Sequence, residues 1–467
     1  MKKMFIDKHP QNPHYFIYKG SAVILVSSGD IYYDVFSPNH DFRKYLDTLA
    51  EYGMNFTRIY PAGCSAFVPS DGAGSILPWV KLDNGKFDLD RWNPAYFRRL
   101  HDFMSYAESK DVIVDVCLFN GFTAKWPEVN VVCWPLLPFN AANNIQAEGV
   151  SVEDDFTTLR SESNVKRQKE YIRKICEELD GYGNVLYDNC DEPDCLGNIP
   201  PVRAIPWVDV VLEELCRADK SGHPISQTHY PAPMFEAGGR DFCRDPRVSW
   251  ISVEYEQGLR DFDSQYPIEK PYVLIETYSP GISPAWNGYW DRLCIQGDGV
   301  SSDRIHSWAF LAGGGAGYLG WSANYHPLTP GGVEPQSEVN RQKKILKDFL
   351  YGFDFVKMRR FMDFSGVENH PSDKDTVWAE AMAEPGKQYA MYINHSFRKG
   401  AYYTAVPGSY QETITLKDIP AGKYTVEWVA PRSGEIAGSN DLIHKGGDLS
   451  LRTPLYAIDI ALRMKLE

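Results

Sequence analysis

At 467 residues the chain exceeds the usual size of one domain, and two domains are expected rather than three because α/β barrels run long. A net charge of −14, a pI near 5.3 and the lack of any basic cluster argue against a nucleic-acid partner, since the phosphate backbone demands a basic stripe. No apolar run approaches a membrane span, and the opening MKKMFIDKHPQNPHYF lacks the apolar core of a signal peptide, so a cytoplasmic chain without a membrane partner is expected. Nine cysteines without CxxC pairs fit reduced cytosolic thiols better than a disulfide framework.

In chain order, residues 15–18, Lys19-Gly20 and 22–26 predict a hairpin leading into a first strand, which ends near Asp30. Phe42, Tyr45, Leu46 and Leu49 recur at helical spacing up to Gly53, and residues 55–60 form the next strand with Arg58 near its carboxyl end. Pro94 opens a helix with Tyr96, Phe97, Leu100, Phe103, Met104 and Ala107 on one side. A nearly unbroken apolar strand, 112–119, follows.

Residues 120–158 then interrupt the rhythm with Trp126, Trp134 and several prolines and asparagines, and a loop of that length in a compact domain is usually functional or disordered. A helix over 161–181 restores the rhythm. Further helix and strand pairs follow: helix 207–218 and strand 224–229, weak helix 235–242 and strand 248–255, residues 259–266 and the strand after Pro271, helix 303–312 and strand 316–321. Helix 339–350 closes the series. Eight strands alternating with helices predict parallel βα units, and closure into an α/β (β/α)8 TIM barrel over 1–354 is the economical architecture. From 355 to 467 the pattern changes to period two with Pro-Gly, Ala-Gly and Gly-Gly turns, which predicts a small antiparallel β-sandwich.

Two stretches carry the chemistry. In NVLYDNCDEPD, residues 184–194, a short apolar run ends in a cluster of acids and a proline; in KPYVLIETYSP, residues 270–280, a similar run ends in Glu276. In a barrel of parallel strands, chemistry sits at the strands' carboxyl ends, and carboxylates there on the fourth and seventh strands would converge on one pocket. Hydrolysis of a glycosidic bond needs an acid for the leaving oxygen and a carboxylate across the anomeric carbon. Glu192 and Glu276 are the candidates. A single acid at a strand end is more often a cap or an ion-pair partner, so the pairing carries the inference.

Residues 184–193 resemble the fourth-strand signature of the clan A glycoside hydrolases, the retaining cellulase-like barrels, and residues 270–278 resemble their seventh-strand segment. The resemblance implies that Glu192 is the acid/base and Glu276 the nucleophile, 84 residues apart. It also implies that Arg58 and Tyr255 orient the nucleophile and that Trp321 is a sugar platform. Asp191 stands where the clan has an asparagine that donates to the sugar, and an ionised aspartate cannot donate. Packed beside two glutamates, it should raise the pKa of a neighbour. Glu254 stands where many relatives have histidine. His229 ends the fifth strand, and Asp30, Trp126 and Trp134 are candidate rim contacts. The tail GKYTVEWVAPRSGEI resembles the small β-domain often appended to such barrels.

The resemblance implies a carbohydrate substrate and no cofactor. Asp188, Asp191, Glu192 and Asp194 are dense enough to suggest a metal-dependent barrel instead, but EF-hand spacing, HxH and HExxH are all missing. A non-catalytic carbohydrate-binding barrel is the other alternative. Gly313-Gly314-Gly315 lacks the Lys-Ser/Thr of a phosphate loop and reads as a helix end. Sugar, anomer, exo or endo action and oligomeric state have no signal in the sequence.

Overall fold

The computed structural model describes residues 4–29, 34–38, 40–61, 76–121, 136–193, 199, 201–228, 241–254, 259, 266–277, 299–320, 336–369, 376–399 and 402–467. Lys19 and Gly20 both have positive φ, 49° and 83°, a turn whose twist matches that of its flanking strands, and they close the hairpin Phe16–Tyr18 with Ser21–Val23.

Eight parallel strands follow in chain order: β1 (Leu25–Ser27), β2 (Phe56–Ile59), β3 (Ile113–Asn120), β4 (Val185–Asp191), β5 (Ile225–Ser226), β6 (Ile251–Glu254), β7 (Tyr272–Glu276) and β8 (Gly317–Leu319). They form two four-stranded parallel sheets, β5-β4-β3-β2 and β6-β7-β8-β1. Hydrogen bonds also cross both seams. Between β1 and β2 the Asn55 amide N–H donates to the Val26 carbonyl at 3.0 Å; between β5 and β6 the Ser249 amide donates to Ile225 at 2.7 Å. The predicted α/β alternation with parallel strands is therefore present.

The helices start where their caps allow. Asp41 accepts amides of Arg43 and Lys44 at the start of α1 (Phe42–Glu51), Asn93 with Pro94 opens α2 (Pro94–Ser109), and Ser161 accepts from Asn164 ahead of α3 (Glu162–Leu179). In α2 the six apolar residues read from the sequence are the six that are buried. Then come α4 (Pro201–Ala218), α5 (Gly299–Ala312) and α6 (Gln336–Tyr351). Among the described residues no helix is long and apolar enough to cross a membrane, and Cys117, Cys176, Cys190, Cys216 and Cys243 are free thiols.

The β4 strand runs from Val185 through Asp191 with its acids toward the carboxyl end, as read, and every side chain is buried because the acids meet a cation and hydroxyl donors inside the sheet. Within 224–228, β5 is two residues long; of the helix read over 235–242, residues 235–240 lie outside the described residues, and a 3-10 turn, Phe242–Arg244, begins at its end. A hairpin of Trp79–Lys81 with Phe87–Trp92 was not anticipated. Its Trp79 is buried against Trp92, Phe139 and Tyr171.

Beyond residue 354 two antiparallel sheets appear. The larger has seven strands, including Val377–Glu384, Gln388–Lys399, Gly422–Val429 and Asp459–Leu466; the smaller pairs Phe364–Ser365, Thr413–Ile419 and Gly447–Arg452. One apolar cluster draws on both, with Ile393, Val426, Trp428 and Leu462 from the first and Ile414, Leu416 and Leu451 from the second. Helix α5 joins this region to the parallel sheets: buried Arg304 meets Asp459 at 2.6 Å, and Tyr392 donates to the same carboxylate at 2.8 Å.

Candidate active site

Arg58 is the local organiser. It sits on β2 directly opposite Asp115 of β3, and its side chain is fully buried. Its Nε lies 3.1 Å from Asp115, and its Nη2 reaches Asp188 at 3.1 Å, Asp191 at 3.2 Å and the Thr228 hydroxyl at 3.0 Å. Burial alone would lower the Arg58 pKa, but the charges of Asp191 and Asp115 outweigh it and hold the guanidinium cationic. Asp188 also accepts from the Thr228 amide at 2.8 Å, the Thr228 hydroxyl and the Ser252 hydroxyl at 3.2 Å. Even so, burial pushes the Asp115 and Asp188 carboxyls above their ordinary range, since one guanidinium serves three aspartates.

Asp191 comes next, at the end of β4. Its Oδ1 accepts from Arg58 and its Oδ2 from the Tyr60 hydroxyl at 3.1 Å, and the Arg58 guanidinium also lies over the Tyr60 ring. Beyond it the backbone turns sharply. Glu192 has φ of 41°, in the left-handed region that few residues other than glycine occupy, and its side chain is buried. Gly121, at the end of β3, makes this turn possible. Its amide donates to the Asp191 carbonyl at 2.7 Å, and a Cβ there would lie 2.0 Å from the Glu192 carbonyl oxygen.

On the second sheet the pairing of β6 and β7 slips between Val253 and Glu254, so Glu254 lies beside Glu276 rather than Ile275. Glu254 is fully buried, while Glu276 is partly exposed. One carboxylate oxygen each from Asp191, Glu254 and Glu276 lie within 4.8 Å of one another. Burial, then the charges of Asp191, Glu192 and Glu276, push the Glu254 carboxyl well above its ordinary range. Thus Glu192 and Glu276 both act on the same buried group. Behind β7, Thr277 bonds Tyr318 at 2.9 Å, and Tyr318 donates to Asp303, which pairs with buried Lys343 at 2.5 Å.

Of the residues singled out in the sequence, Arg58, Asp191, Glu192 and Glu276 converge here. Asp30, Trp126, Trp134, Asp194, His229, Tyr255 and Trp321 lie outside the described residues. Asp188, a member of the suggested metal cluster, points to Arg58, Thr228 and Ser252 instead. The trio Asp191, Glu254 and Glu276 has spacing that would admit a cation, but both oxygens of Asp191 are already engaged by Arg58 and Tyr60. The raised pKa anticipated beside Asp191 falls on Glu254. Asp115, Tyr60, Thr228 and Gly121 were missed. Asp115 had left a visible signal, as an acid in the middle of the apolar run 112–119.

No family model matches the chain, and no curated protein does. Solved structures do. A Bacteroides vulgatus protein provisionally described as a glycoside hydrolase superposes with a TM-score of 0.65 at 14% identity, covering 100% of this chain and 83% of that one. A glycoside hydrolase family 5 structure from the same organism gives 0.63 at 12% identity, covering 99% and 93%. Another structure named as a glycoside hydrolase also gives 0.63 at 12% identity, covering 99% and 97%. The chain has the fold of these structures. The similarity spans both the parallel sheets and the antiparallel region that follows them.

Proposed function

We propose that this chain is a retaining glycoside hydrolase acting on oligosaccharides or small glycosides in the cytoplasm, without a cofactor. In this reading the two parallel sheets close into a (β/α)8 barrel over residues 1–354, and residues 355–467 form an appended β-sandwich. Glu276 attacks the anomeric carbon while Glu192 protonates the leaving oxygen; Glu192 then takes a proton from water as it displaces the sugar from Glu276. Tyr255, Trp321, His229, Asp30 and Trp126 contribute to the sugar site from around the rim. The observation that carries the reading is the meeting of β4 and β7 acids: Asp191 and Glu276 approach within 4.8 Å through Glu254, and the charge of Glu192 bears on that same Glu254. The fold shared with glycoside hydrolase structures supports it.

The test is turnover of aryl glycosides across a panel of sugars and both anomers. Glu276→Ala and Glu192→Gln should each lower kcat by at least about 1000-fold, with circular dichroism unchanged. Azide should rescue Glu276→Ala with inverted product. Near-native rates in either variant would refute the assignment. Sugar affinity in the native chain with no turnover would identify a binding barrel, and loss of activity in chelator a metal-dependent enzyme.

A further inference from the structure

Glu254 belongs to this cluster, and the mechanism above does not use it. It is fully buried, and among the described residues neither of its carboxyl oxygens has a hydrogen-bond donor. It lies instead against other acids. Among the described residues, the charged groups facing it are Asp191 and Glu192 from β4 and Glu276 from β7, with Arg58 of β2 on the far side of Asp191. Around it, β5 and the residues after it offer Ser226, Gln227 and Thr228, none of which titrates near neutral pH. Two carboxylates cannot rest against each other in a dry site unless a proton lies between them.

The proton belongs on Glu254 rather than on its neighbour. Asp191 has the Arg58 guanidinium on one oxygen and the Tyr60 hydroxyl on the other, and both favour its anion. Glu254 has no such help. The register slip that sets Glu254 beside Glu276 gives the proton a purpose, because an O–H at that point can be donated to either carboxylate.

We propose that Glu254 stands in the site as a neutral carboxylic acid, shares its proton with Asp191, and is the donor that positions the Glu276 carboxylate for attack. The inference rests on the glycosidase reading for its consequence, but not for its chemistry. Glu254 is a positioning residue. Its carboxyl lies within 4.8 Å of the nucleophile's, close enough for a small rotation to bring the O–H onto Glu276, and in its neutral form it spares the pocket one more negative charge. When Glu254 ionises, Glu276 loses its donor and gains a repelling neighbour, so activity should fall at alkaline pH.

Two measurements test this. The first is the pH profile of kcat/KM on a dinitrophenyl glycoside, whose leaving group needs no protonation, so the titration of Glu192 drops out. The native enzyme should keep an alkaline loss of rate, and Glu254→Gln, a permanent donor, should lack it. Glu254→Ala should lower kcat about 100-fold with KM little changed, and Glu254→Gln should recover most of that loss. The second is the difference infrared spectrum of native protein and Glu254→Gln without substrate. A protonated-carboxyl C=O band, shifting in D2O, should be present at neutral pH in the first and missing in the second. A native spectrum without that band, an unchanged alkaline limb in Glu254→Gln, or a divalent cation that abolishes the band while raising turnover would overturn the proposal. The infrared result does not depend on activity, so it separates failure of this proposal from failure of the glycosidase reading.

Discussion

On β2, β3 and β4, three buried aspartates, Asp115, Asp188 and Asp191, surround one guanidinium, and hydroxyls of Thr228, Ser252 and Tyr60 supply further donors. Across the site on β6, Glu254 is equally buried, and among the described residues no donor reaches either of its oxygens; Asp115 likewise lacks a hydrogen-bond donor but has the Arg58 guanidinium 3.1 Å away. The first cluster is a clamp. Its charges are set against one another and against fixed dipoles, so its parts hold β2, β3 and β4 in register around Arg58. Nothing in the second cluster serves that end. A buried acid without donors costs stability unless it is protonated, and such a cost persists at sites where the group is used. The two sides thus separate what holds the pocket from what acts in it.

The largest effect should come from breaking the clamp. Replacing Arg58 by Met leaves Asp191 buried without its cation and removes the shared partner of Asp115 and Asp188, which should lower stability by about 3–5 kcal/mol, read from the urea midpoint. A loss under about 1 kcal/mol would mean that Asp191 carries no charge against Arg58 and the clamp is not ionic. Gly121→Ala should do the opposite, costing more in function than in folding. The added Cβ collides with the Glu192 carbonyl, so the turn carrying Glu192 must move and turnover should fall about 100-fold, with the protein still folded. An unchanged kcat would show that the turn does not place the acid.

A pH series sharpens the comparison further. The Asp115 carboxyl is raised chiefly by burial, so the folded state keeps a proton that the unfolded chain has released above about pH 4. Stability contributed by that proton is therefore lost as pH rises, by at most about 1.4 kcal/mol per unit. Asp115→Asn removes this term. The stability difference between variant and native protein should move in the variant's favour between about pH 5 and pH 8, and a flat difference would contradict the sign. The smallest effect is expected at Lys19–Asp111, a 2.5 Å pair whose side chains are 45% and 67% exposed. Lys19→Ala should shift the urea midpoint by no more than about 1 kcal/mol.

Much of the fold was legible because it is written in periodicity. The apolar stripe of α2, the caps at Asp41, Asn93 and Ser161, and the apolar runs of β3 and β7 each point to the element that forms. What escaped has little apolar signature. The strand Ile436–His444 is largely exposed, so no apolar alternation marks it. At the site, Glu192 and Glu276 could be read because each ends an apolar run. Arg58 was read as well, but not its pairing with Asp115, which follows from strand register, nor the role of Gly121, which follows from the close approach of two strand ends.

The central claim is that Glu276 forms a covalent bond to the sugar. The direct measurement is mass spectrometry of the protein after reaction with activated 2-deoxy-2-fluoro glycosides of both anomers, which slow the second step and let the intermediate accumulate. One sugar bound per chain, mapped by peptide fragmentation to Glu276 and missing from Glu276→Ala, is the expected result. An adduct on another residue, or steady turnover of the parent glycoside with inversion and no adduct, would contradict it.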